Sequence, residues 1–93
     1  MTKAVHAIIT GRVQGVFYRA WTETEAKKHQ LRGWVRNRRD DSVEAVFAGK
    51  DADVDDMIDA CREGPPSAQV TDIKVDEADT ADIPDSFEVR PGA

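Results

Sequence analysis

The sequence lacks the features that mark secreted, membrane-spanning and multidomain proteins. Its 93 residues contain one cysteine, Cys61, so no disulfide can form within the chain, which agrees with a reducing compartment. No apolar run approaches the ~18 residues of a membrane-spanning helix, and residues 1–6 lack the apolar core of a signal peptide. Repeats and low-complexity segments are absent as well. The sequence therefore predicts one cytoplasmic domain over residues 1–93, monomeric by default and without a membrane partner.

Charge is distributed unevenly along the chain. Residues 1–39 carry nine Lys or Arg against two Glu, a net +7, and residues 40–93 carry four against sixteen acidic residues, a net −12, which together give −5. Because a local basic surface concentrates anions near it, we expect a small anionic substrate to bind the first part of the chain. An uneven surface charge without a binding role is the alternative interpretation.

Hydrophobic periodicity predicts the order strand, helix, strand, strand, helix, strand, followed by a short edge strand. The predicted strands cover residues 4–10, 31–39, 42–49 and 68–76, the predicted helices cover 17–30 and 51–63, and Phe87 and Val89 mark the last strand after a polar loop at 78–85. Uneven apolar spacing in 68–76 indicates a bulge. This order predicts an α+β fold, a ferredoxin-like βαββαβ sandwich with an antiparallel sheet and both helices on one face.

The helix over residues 51–63 has the clearest pattern in the sequence. It places apolar residues at positions i, i+3, i+4 and i+7, namely Val54, Met57, Ile58 and Cys61. We expect Asp51 or Asp53 to cap its start and Gly64 to end it. On this stripe, Cys61 is predicted to be a packed core thiol rather than a nucleophile.

A glycine-rich stretch, Gly11-Arg12-Val13-Gln14-Gly15-Val16-Phe17-Tyr18-Arg19, links the first predicted strand to the first predicted helix. Backbone N–H groups at a helix N-terminus lack internal partners, and glycines let the backbone curl around an anion. Arg19 adds a planar fork of donors that matches two phosphate oxygens. The stretch is neither a Walker motif nor Gly-x-Gly-x-x-Gly. On these residues alone, ordinary turn glycines and a solvated arginine remain the alternative.

This stretch resembles the acylphosphatase signature, Gly-x-Val-Gln-Gly-Val followed by two residues and Arg. A second stretch, Gly33-Trp34-Val35-Arg36-Asn37, resembles the family's Gly-Trp-Val-x-Asn, and residues 87–90 fit its closing strand. The resemblance covers essentially the whole chain. It departs from the family at Tyr18, where Phe is frequent, and in the strong acidity of the second part of the chain.

The resemblance implies an enzyme that hydrolyses the carboxyl-phosphate bond of acyl phosphates to a carboxylate and inorganic phosphate, without a metal, a cofactor or a phosphoenzyme. It implies that Arg19 and the loop amides bind the substrate phosphate and that Asn37 orients the attacking water. The predicted phosphate-binding residues are Gln14, Gly15, Val16, Phe17, Tyr18 and Arg19.

Phosphate binding and water orientation are sufficient for this hydrolysis, because a carboxylate is a good leaving group and needs no strong general acid. The remaining work is to hold the phosphoryl group and to place water in line. Asparagine cannot accept a full proton at neutral pH. We therefore expect the proton of the water to pass to a phosphate oxygen of the substrate.

Other residues that often carry chemistry receive structural interpretations. His6 in a strand and His29 at a helix end fit no metal or nucleophile pattern, and Trp21 and Trp34 are predicted to pack, with Trp34 a candidate to brace Asn37. Residues 51–55 imitate the start of a calcium loop. The imitation fails, because that loop requires Gly at its sixth position and Glu at its twelfth, where this chain has Asp56 and Arg62.

Two alternative functions remain open at this point. The same element order occurs in RNA-recognition domains, so a non-enzymatic anion- or RNA-binding module is one alternative, with Arg32, Arg36, Arg38 and Arg39 as phosphate contacts. The aromatic-rich strand motif is absent and the chain is acidic, so we expect no nucleic-acid partner. The second alternative is a carbamoyl-phosphate-handling module of a larger maturation enzyme; the end of the chain at Ala93 favours a free-standing enzyme.

Overall fold

The chain folds into a five-stranded sheet with two helices packed against it. A computed structural model describes residues 1–79 and 83–92. Its elements are β1 (Thr2–Arg12), α1 (Tyr18–Lys28), β2 (Arg32–Asn37), β3 (Val43–Lys50), α2 (Asp51–Glu63), β4 (Gln69–Glu77) and β5 (Phe87–Val89). The predicted element order is confirmed. The middle of the predicted polar loop, at 80–82, lies outside the described residues.

The strand order in the sheet is β4-β1-β3-β2-β5. β1 runs antiparallel to both β3 and β4, and β3 runs antiparallel to β2. β5 runs parallel to β2, with Val89 opposite Val35, so the sheet is mixed at this edge. By these pairings, β4 ends at the side of the sheet where both β2 and β5 begin.

The predicted bulge lies where β4 pairs with β1. Thr10 is opposite Asp72, whereas the next residue, Gly11, is opposite Val70, so Thr71 is the extra residue of β4. Gly11 has a φ of 124°, and a Cβ at this position would lie 2.2 Å from the carbonyl oxygen of Gln69. Glycine therefore permits the close approach of β1 and β4 immediately before the glycine-rich stretch.

Both helices pack on the same face of the sheet, α2 over β1, β3 and β4 and α1 over β2 and β5. The core between them contains the predicted apolar stripe of α2 and alternate residues of β1 and β3, including Ile9 and Phe47. The Tyr18 hydroxyl donates a 2.7 Å hydrogen bond to the Cys61 carbonyl and so ties α1 to α2. Burial raises the pKa of the Cys61 thiol to about 12. Cys61 is therefore a core thiol, as the sequence predicts.

The predicted helix ends are partly wrong. α1 is shorter than residues 17–30: it begins after Phe17, which is left-handed with a φ of 63°, and it ends at Lys28, shortly before Gln30, which has a φ of 58°. At α2 the N-cap is Lys50 and no side chain caps the helix, so neither Asp51 nor Asp53 has the predicted capping role. Both lie within the first turn, where their charges favour the helix dipole. No helix within residues 1–79 and 83–92 has the length and apolar character needed to cross a bilayer.

The opposite face of the sheet carries polar side chains. The Glu44 carboxylate accepts a 2.7 Å hydrogen bond from Arg36 Nε and lies 2.6 Å from the ring nitrogen Nε2 of His6. Trp34 lies on the same face, with the Arg36 and Arg90 guanidinium groups 5.2 and 5.1 Å from its ring centroid. Because neighbouring strand residues point to opposite faces, Trp34 contacts these arginines and does not brace Asn37.

The contacts of Glu44 predict a loss of stability in acid. Burial raises the pKa of this carboxyl, but the hydrogen bonds from His6 and Arg36 outweigh burial and hold it below its ordinary value of 4.5. A carboxyl with a lowered folded-state pKa stabilises the fold above its unfolded-state pKa and loses that contribution as the pH falls through the folded-state value. We expect urea unfolding to show that the difference in stability between wild type and Glu44→Gln shrinks below about pH 4.5. A constant difference from pH 7 to pH 3 would contradict this.

Candidate active site

The loop between β1 and α1 has two residues in the left-handed region. Gly15 has a φ of 73° and Phe17 a φ of 63°. A Cβ at Gly15 would meet no atom within 4 Å, so the backbone conformation, and not lack of space, favours glycine there. The neighbouring Val13 and Val16 are buried in the core and anchor the loop on either side of Gly15.

This conformation leaves a run of backbone donors unpaired. Within the described part of the chain, none of the N–H groups of residues 15–20 donates a hydrogen bond to a backbone carbonyl. The first to do so is Trp21, whose N–H donates to the Phe17 carbonyl at 3.0 Å. Unpaired N–H groups at the positive end of a helix dipole form an anion site.

A cavity of ≈ 390 Å³ adjoins this loop. Gly15, Phe17 and Arg19 line it from the loop and α1, and Asn37 and Val89 line it from β2 and β5. The fold thus brings together the two side chains, Arg19 and Asn37, to which the sequence assigns phosphate binding and water orientation.

Asn37 has a buried oxygen without a protein partner. Its side-chain Oδ1 is inaccessible to solvent and accepts no hydrogen bond from any described residue. An unpaired buried amide oxygen costs free energy, and such groups are rare in folded proteins. Asn37 itself lines the cavity, and no described residue holds its Oδ1 in place.

The Arg19 guanidinium also lacks a partner among the described residues. It lines the cavity and takes part in no hydrogen bond or ion pair with the residues in the described ranges 1–79 and 83–92. An arginine without a protein partner, beside unpaired backbone donors, suits an anion with several oxygen atoms.

Gln14 has a different position from the other predicted phosphate-binding residues. Its side-chain amide donates hydrogen bonds to the carbonyls of Arg38 and Ser42, at 2.9 and 2.8 Å. These carbonyls flank the turn between β2 and β3, one residue beyond Asn37 on the β2 side. The Gln14 side chain therefore joins the loop to the strand that carries Asn37, and a role for its backbone N–H in phosphate binding stays a prediction.

We expect Gln14→Ala to lower both stability and activity. Two part-buried carbonyls lose a donor, although that of Ser42 keeps the Arg38 N–H, which costs about 1 kcal/mol of unfolding free energy, and the loop loses its link to β2. Urea unfolding and the rate of acyl phosphate hydrolysis measure the two effects. Gln69→Ala, at an exposed position of β4, is the matched control. A fully active Gln14→Ala variant would argue against this positioning role.

The remaining predicted residues divide between the cavity and the core. Tyr18 is among the lining residues, but its side chain is buried and its hydroxyl is engaged with Cys61. Val16 is buried in the core, so only its backbone can meet a ligand. Sequence reasoning missed Glu23, which also lines the cavity. Its spacing from Lys27 predicted no more than a helical ion pair, which is present at 3.3 Å.

A separate cluster lies where α1 ends and α2 begins. Side-chain ligand atoms of His29, Asp53 and Asp56 all lie within 4.8 Å of one another. None of these residues lines the cavity. The cluster is therefore not part of the candidate active site.

Comparison with known proteins identifies the family. The family model described as Acylphosphatase matches residues 5–89. The chain belongs to the acylphosphatase family. An acylphosphatase from Haloarcula marismortui is 51% identical over 85 residues, which are 91% of this chain and 92% of the relative. The predicted resemblance is confirmed, and membership makes the chain an enzyme that hydrolyses acyl phosphates.

Solved acylphosphatase structures have the same fold. The acylphosphatase from Coxiella burnetii superposes with a TM-score of 0.90 at 34% identity, covering 96% of this chain and 93% of the other. The Bacillus subtilis acylphosphatase gives a TM-score of 0.89 at 36% identity, covering 97% and 99%. The predicted ferredoxin-like fold is thereby confirmed.

Proposed function

We propose that the cavity beside α1 hydrolyses acyl phosphates by in-line attack of water at phosphorus. The Arg19 guanidinium and the backbone N–H groups of residues 15–19 bind the phosphoryl oxygens, and the Asn37 side chain orients the water. The observation that carries this proposal is that Arg19 and Asn37 line one cavity beside the loop amides that donate to no backbone carbonyl. An amide oxygen accepts a hydrogen bond from water and so aligns its lone pair with phosphorus.

Phosphate binding rests on donors that the fold leaves free. The guanidinium supplies a charged fork for two oxygens, and the unpaired loop amides supply further donors for the third. As the bond to the leaving carboxylate lengthens, negative charge redistributes over the phosphoryl oxygens and the leaving oxygen. Donors fixed in advance around the phosphoryl group stabilise this charge without reorganisation.

Direct attack by water agrees with the chemistry of the cavity lining. The described lining contains no serine, cysteine or histidine, the Tyr18 hydroxyl is engaged with Cys61, and the lining carboxylate, Glu23, is paired with Lys27. The amide of Asn37 cannot take up the proton of the water. The proton passes to a phosphoryl oxygen of the substrate, which yields inorganic phosphate and a carboxylate.

The test is phosphate release from benzoyl phosphate by the purified protein in ¹⁸O-labelled water with a metal chelator. Attack at phosphorus places one ¹⁸O in the released phosphate and none in benzoate, after subtraction of the uncatalysed reaction. We expect p-nitrophenyl phosphate, an ordinary ester, to remain intact. Label in benzoate would show attack at carbon and contradict the mechanism. Hydrolysis of the ester would indicate a general phosphatase.

A further inference from the structure

Part of the cavity lining has no role in phosphate binding or water orientation. Apart from the buried Val13 and Tyr18, it consists of the apolar residues Phe17, Ala20 and Val89 and the acidic Glu23. An acyl phosphate in the proposed orientation also has one part without a contact, its acyl group. These four residues are therefore the groups that an acyl chain meets in this cavity.

The apolar members of this set are unusually exposed. The relative exposure of Phe17 is 83% and that of Val89 is 41%, although both are large apolar residues. Phe17 also has the left-handed backbone conformation that non-glycine residues rarely adopt, and this directs its side chain away from the core. An apolar acyl group that packs on them would remove this surface from water.

Glu23 adds a negative charge to the same lining. It lies four residues after Arg19, so both side chains project from the same side of α1. Its carboxylate pairs with Lys27 at 3.3 Å, but the Lys27 side chain is 60% exposed and the Glu23 side chain 36%. Lys27 does not line the cavity. Its positive charge is therefore farther from a ligand than the Glu23 carboxylate is, and it cancels the negative charge of Glu23 only in part.

We propose that the cavity selects acyl phosphates with uncharged, apolar acyl groups and that Glu23 is the residue that discriminates against a second negative charge. The inference rests on the proposed function, since it takes the phosphate to lie at Arg19. An acyl group that carries a carboxylate would meet Glu23 while its phosphate contacts Arg19. An aromatic or aliphatic acyl group would meet Phe17 and Val89 instead.

The test compares kcat/KM for benzoyl phosphate and for succinyl phosphate, which carries a free carboxylate, in wild type, Glu23→Gln and Glu25→Gln. Glu25 is the matched control, because it lies on the same helix, pairs with Lys28 at 3.2 Å and does not line the cavity. We expect wild type to prefer benzoyl phosphate. Glu23→Gln should raise the succinyl-to-benzoyl ratio about fivefold, as for the removal of a partly solvated like charge, whereas Glu25→Gln should leave the ratio unchanged.

A second variant tests the apolar half of the proposal. Phe17→Ala should lower kcat/KM for benzoyl phosphate about threefold or more relative to acetyl phosphate, because only the larger acyl group reaches the ring. An unchanged benzoyl-to-acetyl ratio would remove Phe17 from the acyl contact.

The outcomes separate this inference from the proposed function. If wild type hydrolyses neither acyl phosphate, the proposed function itself fails. If wild type hydrolyses both but Glu23→Gln shifts the succinyl-to-benzoyl ratio no more than Glu25→Gln does, only the inference is overturned. An equal fall in kcat for both substrates in Glu23→Gln would also overturn it, because the carboxylate would then act in the reaction and not in selection.

Discussion

Arg19→Ala should lower kcat/KM for benzoyl phosphate by at least about a hundredfold, which corresponds to a loss of roughly 3 kcal/mol of transition-state stabilisation. The guanidinium is the only cationic side chain among the described residues that line the cavity. Its removal leaves the phosphoryl charge with neutral amide donors and the carboxylate of Glu23. The competitive inhibition constant of inorganic phosphate should rise in the same variant, since ground-state binding uses the same contact.

The fold should tolerate this change. Arg19 is only half-buried, and neither an ion pair nor a hydrogen bond joins its side chain to residues 1–79 or 83–92. We therefore expect the urea midpoint of Arg19→Ala to stay close to that of wild type, which separates lost catalysis from lost folding.

Two further variants control for charge. Arg62→Ala removes an arginine from an exposed position of α2 outside the cavity and should retain full activity. Arg19→Lys keeps the positive charge but loses the planar fork, so its activity should lie between wild type and Arg19→Ala. Full activity in Arg19→Ala would refute the proposed phosphate site.

The parts of the fold that local patterns determine could be predicted from the sequence. α2 has the predicted bounds, because four apolar residues at helical spacing all face one core and a left-handed glycine, Gly64, ends the helix. β3 was predicted nearly to the residue, since Val43, Ala45 and Phe47 alternate with residues of the other face. In both elements, one periodicity explains burial, element type and length.

Features that depend on distant parts of the chain could not be predicted in this way. The parallel direction of β5 depends on the side of the sheet from which the strand starts, and no local pattern in three residues encodes it. Both ends of α1 were misjudged, because left-handed residues other than glycine, Phe17 and Gln30, lie at or near them, a conformation that neither residue type suggests.

In the candidate site, too, only some of the residue roles could be predicted from the sequence. Motif resemblance predicted Arg19 and Asn37, and the fold brings both to one cavity. It did not predict that the Gln14 side chain would bind the β2–β3 turn, because its acceptors at Arg38 and Ser42 come near only when the sheet forms. Glu23 was assigned to the ion pair with Lys27, and its place in the cavity depends on the arrival of β5 beside α1.

Asn37→Ala should lower kcat by about a hundredfold and leave the affinity for inorganic phosphate within roughly threefold of wild type. The water loses the acceptor that aligns it with phosphorus, whereas Arg19 and the loop amides still hold the phosphoryl group. This contrast with Arg19→Ala is the central test of the mechanism. The measurements are single-turnover rates with benzoyl phosphate and the competitive inhibition constant of phosphate.

The environment of Asn37 makes this test specific. No described residue donates a hydrogen bond to Oδ1, so the substitution removes no such contact from the fold, and the urea midpoint should change little. Asn37→Ser, which keeps a shorter acceptor, should recover part of the rate. If Asn37→Ala weakens phosphate binding as much as it lowers kcat, the amide contacts the phosphoryl group itself, and the water must be oriented by another group in the cavity.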